Sequence, residues 1–211
     1  MASVPIIVMA KAPVPGRVKT RLCPPCTAEE AALVAEAALV DTLAAALASS
    51  TDRVVLALDG RPGPWLPAGV DVVTQRGSGF GERLAAAWSE IGGPALQIGM
   101  DTPQVTPALL DLAGAALEAP DTDAVLGPAE DGGWWSIGLR RADPAVFAGV
   151  PMSRPDTAAR QMARLRELGL RTATLPGLRD VDTIADAHVV AELAPDTRFA
   201  AAVRGLVGAA A

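Results

Sequence analysis

The chain has 211 residues, half of them apolar, and a formal charge of −6 with a pI near 4.8. That is enough for one substantial core and short for two, so a single domain over residues 1–211 is expected. The acidic balance, with no stretch that concentrates Lys and Arg beside aromatics, excludes nucleic acid as a partner. No window approaches the roughly eighteen consecutive apolar residues of a membrane span, so no membrane insertion is expected.

The first residues, MASVPIIVMAK, lack a basic region ahead of the apolar run and a recognisable cleavage site. They read as a first strand over residues 3–9 of a cytoplasmic protein. A loop with Pro13, Pro15 and Gly16 follows. Thr27 and Glu30 have the spacing of a capping box, opening a helix that runs to about residue 48. Strands are expected over 52–58 and 70–74, then a helix over 81–91. A central strand over 94–99 ends in Met100-Asp101-Thr102-Pro103. Thr106 and Pro107 are an N-cap and a first-turn proline for a helix through 118. Strands over 123–127 and 134–139 flank Glu130-Asp131-Gly132-Gly133, whose tandem glycines suit a sharp turn or close ligand approach. Asp156 caps an Arg-rich helix to about residue 166, which reads as a solvated face; the alternative is the interface of a homodimer. A last strand covers 171–175, and Asp180-Val181-Asp182-Thr183 leads into C-terminal helices. The alternation of strand and helix predicts an α/β domain with a mainly parallel sheet covered on both faces.

Open α/β sheets bind ligands outside the carboxyl ends of their strands, and four unusual loops fall at such positions. The first carries both lysines of the chain, Lys11 and Lys19, together with Gly16, Arg17 and Arg21. Its four cations on a Pro-stiffened segment suit a di- or triphosphate; the alternative is a solvated basic loop. It is neither a Walker loop nor a Rossmann fingerprint. The second holds Asp101, with Asp182 or Asp180 as its expected partner, because a hard divalent cation that bridges phosphates needs only one or two protein carboxylates. For each of these acids a turn or helix cap is the plainer reading. The third loop, Gly127 to Trp135, places Glu130, Asp131, Gly132, Gly133 and Trp134 together and could hold an acceptor. Strand alternation makes either Trp134 or Trp135 a core residue. The fourth, Gln75 to Arg83 with Gly77, Gly79 and Gly81, offers backbone amides to a base or phosphate. Cys23 and Cys26, the only cysteines, read as small residues near a helix start, not as a redox pair or zinc half-site.

Taken in order, MAKAPVPGRVKTRL, GFGERL, IGMDTP, GPAEDGGWW and DVDT resemble an uncharacterised GT-A family labelled as glycosyltransferases of arsenosugar-biosynthesis or selenium-associated type. The resemblance runs from Ile6 to about Ala187. More distantly the chain is similar to molybdenum-cofactor and phospholactate guanylyltransferases. It departs from the family at Thr102, where many members have Cys or Ser, and at Trp134 and Trp135, where many have Tyr. The resemblance implies a GT-A-like (nucleotide-diphospho-sugar transferase) three-layer sandwich and a nucleotide site. Lys11, Gly16, Arg17, Lys19 and Arg21 match its phosphate loop, Asp101 its metal-binding aspartate and Asp182 the second acid, with Mg²⁺ or Mn²⁺ as cofactor.

Two reactions fit. In nucleotidyl transfer an acceptor oxyanion attacks an NTP, with Arg17 and Lys19 stabilising the leaving pyrophosphate. In glycosyl transfer an NDP-sugar is the donor, and Asp131 or Glu130 is the general base. Gln75, Gly77, Gly132, Gly133 and Trp134 are the expected substrate contacts, the acceptor being a small molecule. The alternative from another class is a non-catalytic nucleotide-binding regulatory protein.

Overall fold

In the computed structural model, which describes residues 4–208, seven strands pair into one sheet. They are β1 (Ile6–Lys11), β2 (Val54–Asp59), β3 (Val70–Thr74), β4 (Ala95–Gly99), β5 (Ala124–Pro128), β6 (Trp134–Leu139) and β7 (Thr172–Thr174), in the order β3-β2-β1-β4-β6-β5-β7. Only β6 runs against its neighbours, antiparallel to both β4 and β5. The expected α/β class with a mainly parallel sheet is what forms. Of the first expected strand, Ser3 lies outside the described residues, and β1 continues to Lys11.

Ile6, Val8 and Ala10 pack into one layer and Ile7 and Met9 into the other. Successive side chains point to opposite faces, and both faces are covered, so the strand must be apolar without interruption. Helices α1 (Ala28–Ala48) and α3 (Pro107–Glu118) cover one face, α2 (Phe80–Ile91) and α4 (Thr157–Glu167) the other. Helices α5 (Ile184–Leu193) and α6 (Arg198–Gly208) pack outside α1.

Helix α1 is long and apolar enough to cross a membrane by length and composition, which the reading of consecutive apolar runs did not bring out. The structure supplies the reason. Ala35, Leu39 and Leu43 face the sheet, while Ala31, Val34 and Ala38 face Val190 and Phe199. A helix packed on two sides is apolar nearly all round. Leu39 and Leu43 are completely buried, and truncating either to Ala would cost about 2–5 kcal/mol.

Helix starts follow local chemistry. Thr27 Oγ1 accepts the Glu30 N–H and the Glu30 carboxylate accepts the Thr27 N–H, and Thr106 caps α3 by accepting the Leu109 N–H. Asp156 stands at the N-cap of α4 but makes no capping bond. Its two carboxylate oxygens are taken by Arg154 Nε at 3.1 Å and Arg160 Nε at 2.6 Å, and ionic acceptance has displaced the cap. Two single-turn 3₁₀ segments, Thr20–Leu22 and Pro144–Phe147, were not legible as elements.

The chain runs outward from β1 to β2 and β3 on one side, and β4 lies on the other. Connections leave in opposite directions at β1 and β4, which opens a crevice at their carboxyl ends. Met9 pairs with Gly99, so the loop after Lys11 and the loop holding Asp101 start side by side.

Candidate functional site

Two cavities adjoin at this point. The first, about 280 Å³, is lined by the basic loop, Gln75, Phe80 and Arg83. The second, about 540 Å³, is lined by the tryptophans, Asp131, Asp180, Met152 and Arg154. Met9, Arg21, Phe80, Gly99, Asp101 and Asp182 belong to both walls.

The basic loop divides into two pairs of cations. Lys19 is turned inward, its side chain only 6% exposed, with Nζ 2.5 Å from Asp101 Oδ1 and donating to the Val181 carbonyl as well. Its backbone has φ 47°, a left-handed conformation that costs a residue with a Cβ on the order of 1 kcal/mol, offset here by those two contacts. Arg21 donates to Asp182 Oδ2 at 2.7 Å. Lys11 and Arg17, by contrast, are exposed. Among the described residues their side chains make no ion pair or hydrogen bond, and both line the first cavity. Gly16, at φ 74°, supplies the turn between Pro15 and Arg17.

Two of the expected backbone donors of the Gly-rich turn, Ser78 and Gly79, are already engaged. Glu82 Oε2 accepts from Ser78 N, Ser78 Oγ and Gly79 N. These bonds hold the Glu82 carboxyl below the usual range, the Ser78 hydroxyl contributing most. Gln75 ties strand ends together, its amide donating at 2.9 Å to both the Ala10 and Ala57 carbonyls. Gly77 (φ 128°) leaves no room for a side chain, since a Cβ there would lie 2.7 Å from that of Glu82. Arg83 and Phe80 were inside the quoted motif yet not singled out. The Arg83 guanidinium lies over the Phe80 ring, 5.7 Å from its centre.

The acids converge because the segment before α5 is stitched across the strand ends. Val181 N–H donates to the Asp101 carbonyl at 2.8 Å, Gln104 to the Arg179 carbonyl at 2.7 Å, and Glu130 N–H to the Leu178 carbonyl at 3.0 Å. Asp180 Oδ1 is thereby buried with no hydrogen-bond partner among the described residues. Its carboxyl is pushed up to about 7, first by burial and then by the neighbouring Asp101, Asp131 and Asp182, while Lys19 pulls it down. Asp101 and Asp182 are compensated by Lys19 and Arg21, so the uncompensated acid of the Asp180-Val181-Asp182 run is the first. No group of three or more His, Cys, Asp or Glu in metal-holding geometry is present among the described residues.

In the acidic loop, Asp131 is exposed and oriented by the Gly133 N–H, which donates to its Oδ1 at 2.7 Å. Glu130 pairs with Arg179, which also holds Asp186, and lines neither cavity. Trp135 is the core tryptophan, 1% exposed and donating to the Pro176 carbonyl at 3.0 Å. Trp134 is half-buried at the second cavity, its Nε1–H without a partner among the described residues. Gly132 (φ 88°) packs on the 151–156 loop so closely that a Cβ there would lie 1.9 Å from the Pro155 carbonyl oxygen. That contact brings Ser153 and Arg154 to the second cavity, and no feature of the sequence had pointed to either. Cys23 and Cys26 are free thiols, and burial raises the Cys26 thiol.

Comparison with known proteins gives the fold a family. No curated protein matches the sequence. A crystal structure of a candidate nucleotide-diphospho-sugar transferase from Desulfovibrio desulfuricans G20 superposes with a TM-score of 0.87 at 26% identity, covering 97% of this chain and 95% of that one. CMP:2-keto-3-deoxy-manno-octonic acid synthetase complexed with CTP (16% identity, TM-score 0.55, 93% and 100% covered) shares the fold. So does Rv0371c of Mycobacterium tuberculosis H37Rv in complex with manganese (22%, 0.52, 91% and 100%). Residues 33–154, more than half of the chain, match the family described as uncharacterized protein conserved in bacteria. The chain therefore belongs to the DUF2064 family and has the nucleotide-diphospho-sugar transferase fold.

Proposed function

We propose that the protein is a metal-dependent transferase that moves a group from a nucleotide to a small acceptor. The observation that carries this is the pair of adjoining cavities, one cationic and one acidic and aromatic, divided by Asp101 and Asp182. The donor's phosphates lie in the first cavity, where Lys11 and Arg17 have charge to give because neither is paired among the described residues. The acceptor lies in the second, against Trp134 and Asp131. Among the similar structures, the candidate sugar-nucleotide transferase and the CTP complex support a nucleotide, and the manganese complex supports a divalent cation.

The donor set fits Mg²⁺ or Mn²⁺. Asp101 and Asp182, which line both cavities, are the two carboxylates that would hold it. A hard cation takes one or two such oxygens and completes its shell with water and phosphate. When bound it would neutralise phosphate charge and polarise the reacting phosphoryl group. Lys19 acts here as a positioning residue, holding the Asp101 carboxylate in place.

Nucleotidyl transfer is the reading that the unpaired cations favour. An oxyanion of the acceptor forms a bond to the α-phosphorus, the bond to the β-phosphate oxygen breaks, and pyrophosphate leaves with the electron pair toward Lys11 and Arg17. One observation supports glycosyl transfer instead. Asp131, oriented by Gly133 beside Trp134, is placed to take the proton of an acceptor hydroxyl as its oxygen bonds to the sugar carbon and the nucleoside diphosphate departs.

Thermal unfolding with NTPs, NDPs and NDP-sugars, each with and without Mg²⁺ or Mn²⁺, tests the site, since a ligand at a hundred times its Kd adds about 2.7 kcal/mol. Stabilisation by an NTP with metal, followed by pyrophosphate release, supports the first reaction; stabilisation by an NDP-sugar and release of NDP supports the second. Nucleotide binding without turnover on any acceptor would identify a regulatory binder, and no shift with any nucleotide would overturn the site.

A further inference from the structure

The second cavity has opposite charge at different parts of its wall. Its acids are Asp101, Asp131, Asp180 and Asp182, and all but Asp180 itself are among the charges that act on the Asp180 carboxyl. Arg154 lines the same cavity from the 151–156 loop, which reaches it from the α4 side. This arginine is held in place by several restraints. Ser153 before it is left-handed, at φ 58°, a conformation that persists only where the surroundings enforce it. The Arg154 N–H donates to Thr157 Oγ1 at 3.1 Å, and the Thr157 hydroxyl donates to the Pro151 carbonyl at 3.0 Å. Gly132 packs against the Pro155 carbonyl, and the Ala158 N–H donates to the Gly132 carbonyl at 2.9 Å, locking this loop to the acidic one. The guanidinium is fastened through Nε to Asp156, which leaves the fork of terminal nitrogens for another partner. The side chain is 57% exposed, so those terminal nitrogens are open to a solute that enters the cavity.

Resting on the transferase reading above, we infer that Arg154 is the specificity residue of the acceptor pocket and that the acceptor carries an oxyanion, a phosphate monoester or a carboxylate, besides the group that reacts. The planar fork matches two oxygens of such a group, which a lysine at the same place would not. The oxyanion sits on Arg154, away from the carboxylates, and so directs the rest of the acceptor toward the division between the cavities. An acceptor bound the other way round would set its negative charge against Asp101, Asp131 and Asp180.

Calorimetric titration of the full chain with glycerol 3-phosphate, glycerate and glycerol tests this independently of any nucleotide. The parent protein is expected to bind one or both anions and not glycerol. Arg154→Gln should weaken the anion at least tenfold and Arg154→Lys by a smaller factor, with unchanged melting temperature confirming that both variants fold. The double variant Lys11→Ala, Arg17→Ala should leave that binding in place. The inference is overturned if neither anion binds the parent, if glycerol binds equally well, if Arg154→Gln leaves the affinity unchanged, or if only the Lys11/Arg17 variant loses it, since the anion would then be lodged in the donor loop. A failure of the nucleotide reading shows separately, as absence of stabilisation by every nucleotide while the anion titration still reports on Arg154.

Discussion

Replacing Gly132 with alanine tests whether the acidic loop and the Arg154 loop form one rigid unit. Gly92 serves as the control, because both glycines have positive φ, 88° and 71°, but only one is crowded. A Cβ at Gly92 meets nothing within 4 Å, so Gly92→Ala carries only the left-handed penalty, about 1 kcal/mol. At Gly132 the added carbon would lie 1.9 Å from the Pro155 carbonyl oxygen and 2.5 Å from its carbon, whereas ordinary contact begins at 3.4 Å. The obstacle is backbone and cannot rotate aside, so the 151–156 segment must move by more than an ångström. That movement breaks the 2.9 Å bond from Ala158 N–H to the Gly132 carbonyl, a further ~1 kcal/mol. With backbone strain added, Gly132→Ala is expected to cost about 3–4 kcal/mol. Urea unfolding measures both variants, and their midpoints, which need no extrapolation to water, should be clearly separated. Equal losses would show that the two loops slide freely, and would remove the restraint that places Arg154 at the cavity.

Asp101→Asn should abolish both metal dependence and turnover; persisting turnover would remove Asp101 from the metal site. In a double-mutant cycle with Lys19→Met, the coupling should be about 1–2 kcal/mol, below the ~3–5 kcal/mol of a fully buried pair because the Asp101 side chain is 46% exposed. Asp180 supplies a pH signature in metal-free protein. Its folded-state pKa is raised, so its stabilising contribution is complete below the unfolded value of 3.8 and is lost as the pH rises through about 7. Asp180→Asn should therefore gain on the parent as pH rises through that range, by on the order of 4 kcal/mol at the alkaline end, and chemical unfolding that gives a pH-independent difference would refute the burial of an uncompensated acid. Trp88→Phe removes the 2.7 Å bond from Trp88 Nε1–H to Gln97 Oε1, leaving the acceptor of a 1% exposed glutamine unpaired. Unfolding should report a loss of about 2–3 kcal/mol, and a neutral result would place water at that oxygen.

Local signals carried the fold far. Continuous apolar runs such as residues 6–10 announce strands covered on both faces, and the Thr27–Glu30 box and the Thr106-Pro107 pair mark helix starts, because those contacts lie within four residues of each other. The placement of Asp101 just after a strand was legible for the same reason, whereas Lys11 proved to be the last residue of its strand, and the sheet order set the two strand ends side by side. What the amino-acid order could not disclose is which charges meet. Lys19 finds Asp101 and Arg21 finds Asp182, the latter pair 161 positions apart, while Lys11 and Arg17 in the same loop remain unpaired among the described residues. Glu130 goes to Arg179 and its neighbour Asp131 to the cavity, though both looked alike in the motif. Asp180 and Asp182 share a three-residue motif, yet one is buried without a partner and the other compensated. Periodicity tells a side chain which face it occupies, but an ion pair or an orphaned carboxylate depends on where a distant loop is stitched down. Here the hydrogen bonds that fasten Val181 to Asp101, and Gly132 to the segment carrying Arg154, made that decision.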